Sequence, residues 1–414
     1  MPAEPNGLTC WFIALELFHM DDIKQKIIMA RRKCNNAEEI ELLRIHLQRN
    51  PDDGLRLLDL ADALRAVGRS EEAQTLLRSL PDRLNAGRYS PALALGVLHQ
   101  QKCMPDEAER WFRKAAELNP GTSGTWALMG IFYMSVGRPE MARAAFERGL
   151  QTKEDVDEAH VNLGNYHRAV ADYSTACDRY REALRINPEY PGAEHDLRDC
   201  EAALRVRAPF QMEDIEQKIV FARRNGNRAE GIELLQVHLR QNPDDDPRRL
   251  QLAKNLRDLG RTVEAEKLLL SLPDRLLGEK YPPALSLGRL YQARCMRGEA
   301  ERCFRKAAEL EPGTTGTWVY LGIFYMLVGQ LEMARATFER GLQAKGDIDE
   351  VYINLGNYYR AVADYATACD HYREGLKIDP EYPDAQHDLR DCEAALAVVE
   401  ATGGRGGRNG RRMA

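Results

Sequence analysis

The 414-residue sequence lacks the short motifs that mark common catalytic sites. It has no phosphate-binding loop of the GxxxxGKS or GxxxxGKT type, no GxSxG and no HExxH. Its Gly/Arg-rich run at 403–407 does not follow a strand-like segment, and its nine histidines are scattered. We therefore predict no enzyme activity, no catalytic residue, no metal site and no cofactor.

The sequence also lacks CxxC spacings, although it contains nine cysteines. An odd number does not complete a disulfide framework, and reduced thiols are the rule in the cytosol. We predict reduced thiols that pack helices in a cytoplasmic protein. Three cysteine pairs recur at one spacing, each within a helical pattern: Cys103/Cys295, Cys177/Cys369 and Cys200/Cys392.

Neither a membrane segment nor an excess of positive charge is present. The apolar run at 7–18 is too short to span a bilayer and contains Glu16. It has no basic stretch before it and no small-residue cleavage site after it, which disfavours a signal peptide. The net charge of −6 disfavours a dedicated nucleic-acid binder. We predict no membrane contact, and nucleic acid is a disfavoured partner.

What the sequence does contain is a duplication. Residues 20–204 read again as 212–396, always 192 positions later and without insertion or deletion. Residues 162–204 match 354–396 at 35 of 43 positions, so the two copies have one fold. Residues 1–19 lie outside the duplication, and we expect an additional helix there that covers the first copy.

Each copy contains a shorter period of about 34 residues, which indicates stacked helix pairs and not a compact enzyme core. In most units the eighth position is small, the twentieth is Ala and the twenty-fourth is large. Small residues let two helices approach closely, and positions four apart share one helix face. The units begin near residues 20, 54, 89, 123, 157, 212, 246, 281, 315 and 349.

One unit, 157–190, shows the pattern most clearly. Its characteristic residues are Asn162, Leu163, Gly164, Tyr166, Ala176, Tyr180 and Pro188. This pattern resembles the tetratricopeptide repeat, in which each unit is a pair of helices. The resemblance covers most of the chain and implies an all-α fold, a right-handed α–α superhelix built from about ten repeats.

The repeat plan predicts five segments along the chain. We expect an N-terminal extension at 1–19, a first array of five repeats plus a capping helix at 20–204, a joint at 205–211, a second array of five repeats plus a capping helix at 212–396, and a disordered Gly/Arg-rich tail at 397–414. We favour two arrays jointed near Pro209. The alternative is one continuous superhelix of ten repeats.

The resemblance also implies a binding groove, lined by the first helices of the repeats. Their positions two, five, nine, twelve and thirteen would face a ligand. Position twelve holds the same type of residue in both copies, most often arginine, and the centre of each array is apolar. The predicted partner-binding residues are Arg31, Arg65, Ala127, Ile131, Met134, Asn165, Arg168, Arg223, Arg257, Val319, Ile323, Met326, Asn357 and Arg360.

Arginines beside apolar residues predict the kind of ligand. The planar guanidinium binds carboxylates through paired N–H groups, so the groove fits a peptide with acidic residues and apolar anchors. The alternative is that these arginines pair with carboxylates of their own chain and bind nothing.

A non-enzymatic scaffold or adaptor that binds a protein or peptide is the favoured function. An RNA-binding helical-repeat protein is a second hypothesis, although the groove lacks the repeated aromatic platforms used in base stacking. An accessory subunit of an enzyme complex is a third. The sequence does not determine the partner or the oligomeric state.

Overall fold

The computed structural model describes residues 23–81, 84, 90–152, 154–206, 215–276, 281–344 and 346–402. The regular elements in these ranges are α-helices that follow one another as packed pairs. The helices of the first copy are α1 (described over 23–32), α2 (Asn36–Arg49), α3 (Gly54–Ala66), α4 (Ser70–Ser79), α5 (Pro91–Gln101), α6 (Pro105–Leu118), α7 (Ser123–Ser135), α8 (Pro139–Gln151), α9 (Val156–Ala169), α10 (Tyr173–Ile186) and α11 (Ala193–Val206).

The second copy repeats this order of helices. Its helices are α12 (Ile215–Arg224), α13 (Arg228–Gln241), α14 (Asp246–Asp258), α15 (Thr262–Leu270), α16 (Pro283–Ala293), α17 (Arg297–Leu310), α18 (Thr315–Leu327), α19 (Leu331–Gly341), α20 (Ile348–Ala361), α21 (Tyr365–Ile378) and α22 (Ala385–Ala401). The helix pairs begin close to the predicted starts of the units. The predicted all-α architecture of stacked helix pairs is confirmed.

Close packing within a helix pair depends on glycine, which has no side chain. Tyr180 of α10 is fully buried, and a Cβ atom added at Gly164 of α9 would lie 2.7 Å from its ring. The second copy repeats this contact between Gly356 and Tyr372, with a corresponding distance of 2.6 Å. No ordinary side chain fits in that space. The predicted role of the small eighth residue is therefore confirmed.

Aspartates at the turns cap two of the second helices, α10 and α21. Asp172 accepts a hydrogen bond from the backbone N–H of Thr175 at 3.2 Å, and Asp364 accepts one from Thr367 at the same distance. Such bonds satisfy an N–H group that has no partner inside the helix. The turn between the helices of these pairs is therefore encoded locally.

The described helices form two compact units. Unit 1 comprises the described residues of Met1–Leu84 and Tyr325–Ala414, and unit 2 comprises those of Asn85–Phe324. Each unit contains helices from both sequence copies. The division into units therefore does not follow the boundary between the copies.

In unit 2, α11 joins the two copies. It packs against α10 on one side and against α13 on the other. The buried carboxylate of Asp199 accepts hydrogen bonds from the backbone N–H groups of Ala229 and Glu230, both at 3.0 Å. His195 Nε2 lies 2.9 Å from the carbonyl oxygen of Asn225. Helix packing thus continues from the first copy into the second.

In unit 1, α22 makes the same contacts with the beginning of the chain. It packs against α21 and against α2. Asp391 accepts hydrogen bonds from the backbone N–H groups of Ala37 and Glu38, both at 2.9 Å, and His387 Nε2 lies 2.7 Å from the Lys33 carbonyl oxygen. The predicted capping helix is therefore covered on its second side by the first repeat.

The boundaries of the predicted segments differ from the ends of the helices. Helix α11 ends at Val206, and most of the predicted joint lies in 207–214, outside the described residues. Helix α22 continues to Ala401, so 397–401 of the predicted tail are helical. The N-terminal extension at 1–19 and the tail residues 403–414 lie outside the described residues.

Candidate functional site

Two predicted groove residues of α9 belong to an internal polar cluster. The guanidinium of Arg168 pairs with Asp196 of α11 and donates to Asn165 Oδ1 at 3.3 Å. The Tyr180 hydroxyl donates to the same oxygen at 2.7 Å, and the guanidinium carbon of Arg168 lies 5.9 Å from the centre of the Tyr180 ring. The fork of Arg168 is thus occupied by a carboxylate of its own chain.

The second copy reproduces this cluster on α20. Arg360 donates to Asp388 of α22 at 2.6 Å and to Asn357 Oδ1 at 3.2 Å, while Tyr372 donates to Asn357 at 2.7 Å. Arg360 also lies 3.8 Å from the buried Asp391. Burial raises the pKa of Asp391, although the N–H groups of α2 and the charge of Arg360 oppose this shift. In both copies the cluster holds the last helix against the last repeat.

Three further predicted arginines pair with nearby carboxylates. Arg223 of α12 is exposed, and no ion pair of it appears among the contacts of the described residues. The internal pairs are Arg31 with Glu39 at 2.6 Å and with Asp59 at 2.9 Å, Arg65 with Asp62 at 2.5 Å, and Arg257 with Asp258 at 2.7 Å.

The predicted apolar centre is largely buried. Ala127 and Val319 are buried, Ile323 is partly buried, and Ile131 is exposed. The crevice beside Ala127 has a volume of about 10 Å³, which is close to the space needed by one water molecule. It is too small for a ligand side chain.

The two groove methionines contact glycine turns from the other sequence copy. In unit 2, a Cβ atom added at Gly260 would lie 3.6 Å from the Met134 methyl group. In unit 1, one added at Gly68 would lie 3.9 Å from the Met326 methyl group and 3.6 Å from Ala361. Both turn glycines have a left-handed backbone, with φ of 81° and 87°. The chain itself covers this part of each predicted groove.

One exposed surface on α12 combines apolar and positive side chains; it comprises Val220, Phe221, Arg223 and Arg224. Phe221 is 63% exposed and Val220 is 39% exposed. Both line an open cavity of about 380 Å³ together with Arg224. We call these four residues the α12 surface.

The equivalent surface on α1 lies in unit 1 and comprises Ile28, Met29, Arg31 and Arg32. Ile28 and Met29 are exposed, as are both arginines. Sequence reasoning missed Met29 and Phe221 because they occupy position ten, outside the five expected ligand-facing positions. The signal was present, since four consecutive apolar residues (27–30 and 219–222) are more than one helix face can bury.

Two described histidines, His46 and His238, contact aspartates at turns. His46 Nε2 lies 3.0 Å from Asp53, and the copy places His238 Nε2 2.9 Å from Asp245. Within the described ranges, no three His, Cys, Asp or Glu side chains are grouped so as to hold a metal ion. No helix in the same ranges combines the length and the apolar character needed to cross a bilayer.

Comparison with known families agrees with the helix pairs. Models of the tetratricopeptide repeat match residues 349–382 and 55–79. The first match covers α20 and α21, and the second covers α3 and α4. The chain therefore contains tetratricopeptide repeats at these two places. Proteins built from tetratricopeptide repeats generally bind other proteins.

Similarity to individual tetratricopeptide repeat proteins is low. Tetratricopeptide repeat protein 37 of Xenopus laevis is 20% identical over 370 residues, which cover 78% of this chain and 23% of that protein. This chain thus matches about a quarter of the length of that relative. The crystal structure of a tetratricopeptide repeat protein from Parabacteroides merdae has 13% identity and a TM-score of 0.36, covering 66% of this chain and 98% of that one.

Proposed function

We propose that this tetratricopeptide repeat protein is a non-enzymatic scaffold that binds peptide segments of partner proteins on the α12 surface and on the α1 surface. The ligand carries an apolar anchor next to acidic residues. The observation that carries the proposal is the exposure of Phe221 beside two arginines that have no ion pair among the described contacts.

The apolar part of the α12 surface supports an anchored ligand. Phe221 and Val220 are large side chains that the fold leaves in contact with solvent, and the cavity beside them is open. Covering exposed apolar area contributes about 25 cal/mol per Å², and an aromatic side chain is a common centre of binding energy. A leucine- or phenylalanine-sized side chain of a partner fits this role.

The charge of the two surfaces supports an acidic ligand. Arg223 and Arg224 on α12, and Arg32 on α1, are exposed and have no ion pair among the described contacts. By contrast, the forks of Arg168 and Arg360 are already occupied by carboxylates. Of the predicted groove arginines, we therefore assign ligand binding to Arg223, and internal positioning to Arg31, Arg168 and Arg360.

Selection from a random 12-residue phage-displayed peptide library on the purified full-length protein tests this proposal. We expect enrichment of peptides that combine aspartate or glutamate with large apolar residues. A fluorescent synthetic copy of an enriched peptide then reports affinity by anisotropy. The variant F221A/R223E/R224E combined with M29A/R32E is expected to weaken binding by at least about tenfold.

Matched control variants test whether the loss of peptide binding is specific to these surfaces. Leu270 on α15 is also 63% exposed, and Arg240 on α13 is an exposed arginine. We expect L270A and R240E to bind the peptide as the unaltered protein does. Equal binding by the five-substitution variant, or enrichment of peptides without acidic and apolar residues, would overturn the proposal.

A further inference from the structure

Cys103 and Cys295 occupy equivalent turns within unit 2. Cys103 follows α5 and Cys295 follows α16, and both have a left-handed backbone, with φ of 55° and 58°. This conformation is uncommon for a residue with a side chain and restricts the direction of the Cβ atom. The two residues are 6% and 4% exposed. Each thiol is therefore held in a defined position at a tight turn.

The two thiols make reciprocal contacts between the sequence copies. Cys103 Sγ donates to the carbonyl oxygen of Gln292 at 3.5 Å, and Cys295 Sγ donates to that of Gln100 at 3.4 Å. Gln292 and Gln100 lie three residues before the cysteines, in the same two turns. Each thiol also influences the pKa of the other. The duplication thus brings two copies of one cysteine together.

The surroundings distinguish the two thiols chemically. The neighbouring Cys295 side chain lowers the pKa of the Cys103 thiol despite its burial, and the positive charge of Arg297 lowers it further. The neighbouring Cys103 side chain raises the pKa of the Cys295 thiol, and burial raises it as well. The first copy has Pro105 where the second has Arg297, which makes the pair unequal. The charge of Arg297 therefore favours ionisation of the Cys103 thiol.

The other paired cysteines lack this combination of features. Cys177 and Cys369 lie inside α10 and α21, and burial raises the pKa of both thiols. Cys200 and Cys392 are fully buried in α11 and α22, where burial also raises the pKa. These four cysteines are packing residues, as the sequence predicts.

We propose that Cys103 and Cys295 form a redox modification site, at which a hydroperoxide converts the two thiols into a disulfide that links the two sequence copies in unit 2. The Cys103 thiolate attacks one peroxide oxygen, so that an S–O bond forms, the O–O bond breaks and the departing oxygen leaves as water after taking up a proton. The Cys295 sulfur then attacks the Cys103 sulfur, the S–S bond forms, and the S–O oxygen leaves as a second water with the Cys295 proton. Two thiols lose two electrons, and one hydrogen peroxide is reduced to two waters.

The disulfide would close a long loop within the chain, because its cysteines are 192 positions apart. Closing such a loop reduces the freedom of the unfolded chain, so that the oxidised protein is more resistant to unfolding. It would also prevent the α5–α6 turn and the α16–α17 turn from separating. This inference is independent of the proposed peptide-binding surfaces, which contain neither cysteine.

Oxidation of the full-length protein with hydrogen peroxide tests the proposal. Remaining thiols are blocked with iodoacetamide, and peptides are mapped by mass spectrometry without reduction. We expect a linked peptide pair containing Cys103 and Cys295, formed more slowly than oxidation of the exposed Cys34. The apparent unfolding temperature of the monomeric protein should rise by a few degrees and return to its starting value with dithiothreitol.

Single serine variants supply the controls. C103S and C295S should each lose the linked peptides and the temperature shift, whereas C177S should keep both. Recovery of Cys103 and Cys295 as separate thiols or sulfinic acids, while Cys34 is fully oxidised, would contradict the proposal. So would a linkage found only between two chains. Peptide mapping of the unaltered protein shows whether the Cys103–Cys295 disulfide forms, even if a variant fails to fold.

Discussion

At the scale of single residues, two buried aspartates hold together the helices at which one sequence copy packs against the other. Asp199 of α11 accepts two backbone N–H groups from the first turn of α13, and Asp391 of α22 accepts two from the first turn of α2. These N–H groups have no partner within their own helix, and leaving them buried without an acceptor is unfavourable. Each carboxylate thus supplies the acceptor for two backbone N–H groups.

Replacing Asp391 by alanine is expected to destabilise the protein. The N–H groups of Ala37 and Glu38 would lose their acceptor, at a cost of about 2–4 kcal/mol in the free energy of unfolding. Urea denaturation followed by circular dichroism measures the change. The control is D370A, which removes an exposed carboxylate from α21 and should alter stability by less than about 0.5 kcal/mol. Equal effects of the two variants would show that the contact between α22 and α2 does not depend on the Asp391 carboxylate.

A buried histidine makes stability depend on pH. His160 is 9% exposed, and burial lowers its pKa below 6.5; Arg179 lowers it further, while Glu182 opposes the shift. Below pH 6.5 the unfolded chain therefore takes up a proton that the folded chain does not. The stability contribution of the neutral ring is present above that pH and is lost as the pH falls towards the folded pKa.

The second copy supplies the substitution that tests this dependence. It has Tyr352 at the position of His160, so H160Y introduces a residue that the same fold already accepts. We expect H160Y to reduce the slope of the unfolding free energy against pH below 6.5 by at most about 1.4 kcal/mol per pH unit. Urea denaturation at a series of pH values measures the slope. An unchanged slope would mean that His160 titrates as it does in the unfolded chain.

At the scale of the elements, the helix pair is the unit that the sequence repeats. Its close contact requires glycine on one helix opposite a large ring on the other, as with Gly164 and Tyr180. Glycine weakens a helix by about 0.5–1 kcal/mol relative to alanine. Its presence in the middle of α9 is therefore explained by packing and not by helix propensity.

Substitution of Gly164 by alanine is expected to lower the free energy of unfolding by about 1–3 kcal/mol. The new Cβ atom would collide with the fully buried Tyr180 ring, and the gain in helix propensity offsets only part of this cost. The matched control is G124A in α7, because a Cβ atom there meets no other atom within 4 Å. We expect G124A to leave stability unchanged or to increase it slightly, by thermal unfolding. A stabilised G164A protein would refute this explanation of the repeat.

At the scale of the whole molecule, the last described helix supports the first repeat. Within unit 1, α22 is covered by α21 and by α2, and these contacts repeat those of α11 in unit 2. Residues at opposite ends of the sequence are thereby in hydrogen-bonding contact. The buried side chains that line this part of unit 1 include Ala37 with Ala385, Cys392 and Ala395.

Removal of α22 should therefore affect the beginning of the chain. A protein that ends at Asp384 is expected to lose hydrogen-exchange protection at the amides of Ala37 and Glu38, which α22 otherwise binds. The control ends at Thr402 and lacks only residues 403–414; it should keep the protection of the full chain. Exchange measured by mass spectrometry on peptides from α2 distinguishes the two. Unchanged protection after removal of α22 would contradict the contact between α22 and α2.

Local patterns explain why the helices could be predicted and several contacts could not. Gly164, Ala176 and Tyr180 interact within one repeat, so their spacing in the sequence was sufficient. The pairing of Arg168 with Asp196 also recurs 28 positions apart in each copy, but carboxylates are too common for spacing alone to identify it. Contacts between Cys103 and Cys295, or between α2 and α22, join distant segments and leave no periodic signal.

The sequence by itself determined the all-α class, the duplication and the helix pairs, because each depends on residues close enough to interact along one or two helices. Only the tertiary structure decided which surfaces stay exposed. Packing of one copy against the other places a glycine turn beside Met134 and beside Met326, which are partly buried, and leaves Phe221 and Met29 exposed to solvent. Burial of a side chain depends on every element around it, and amphipathic periodicity records only that a helix has a buried face.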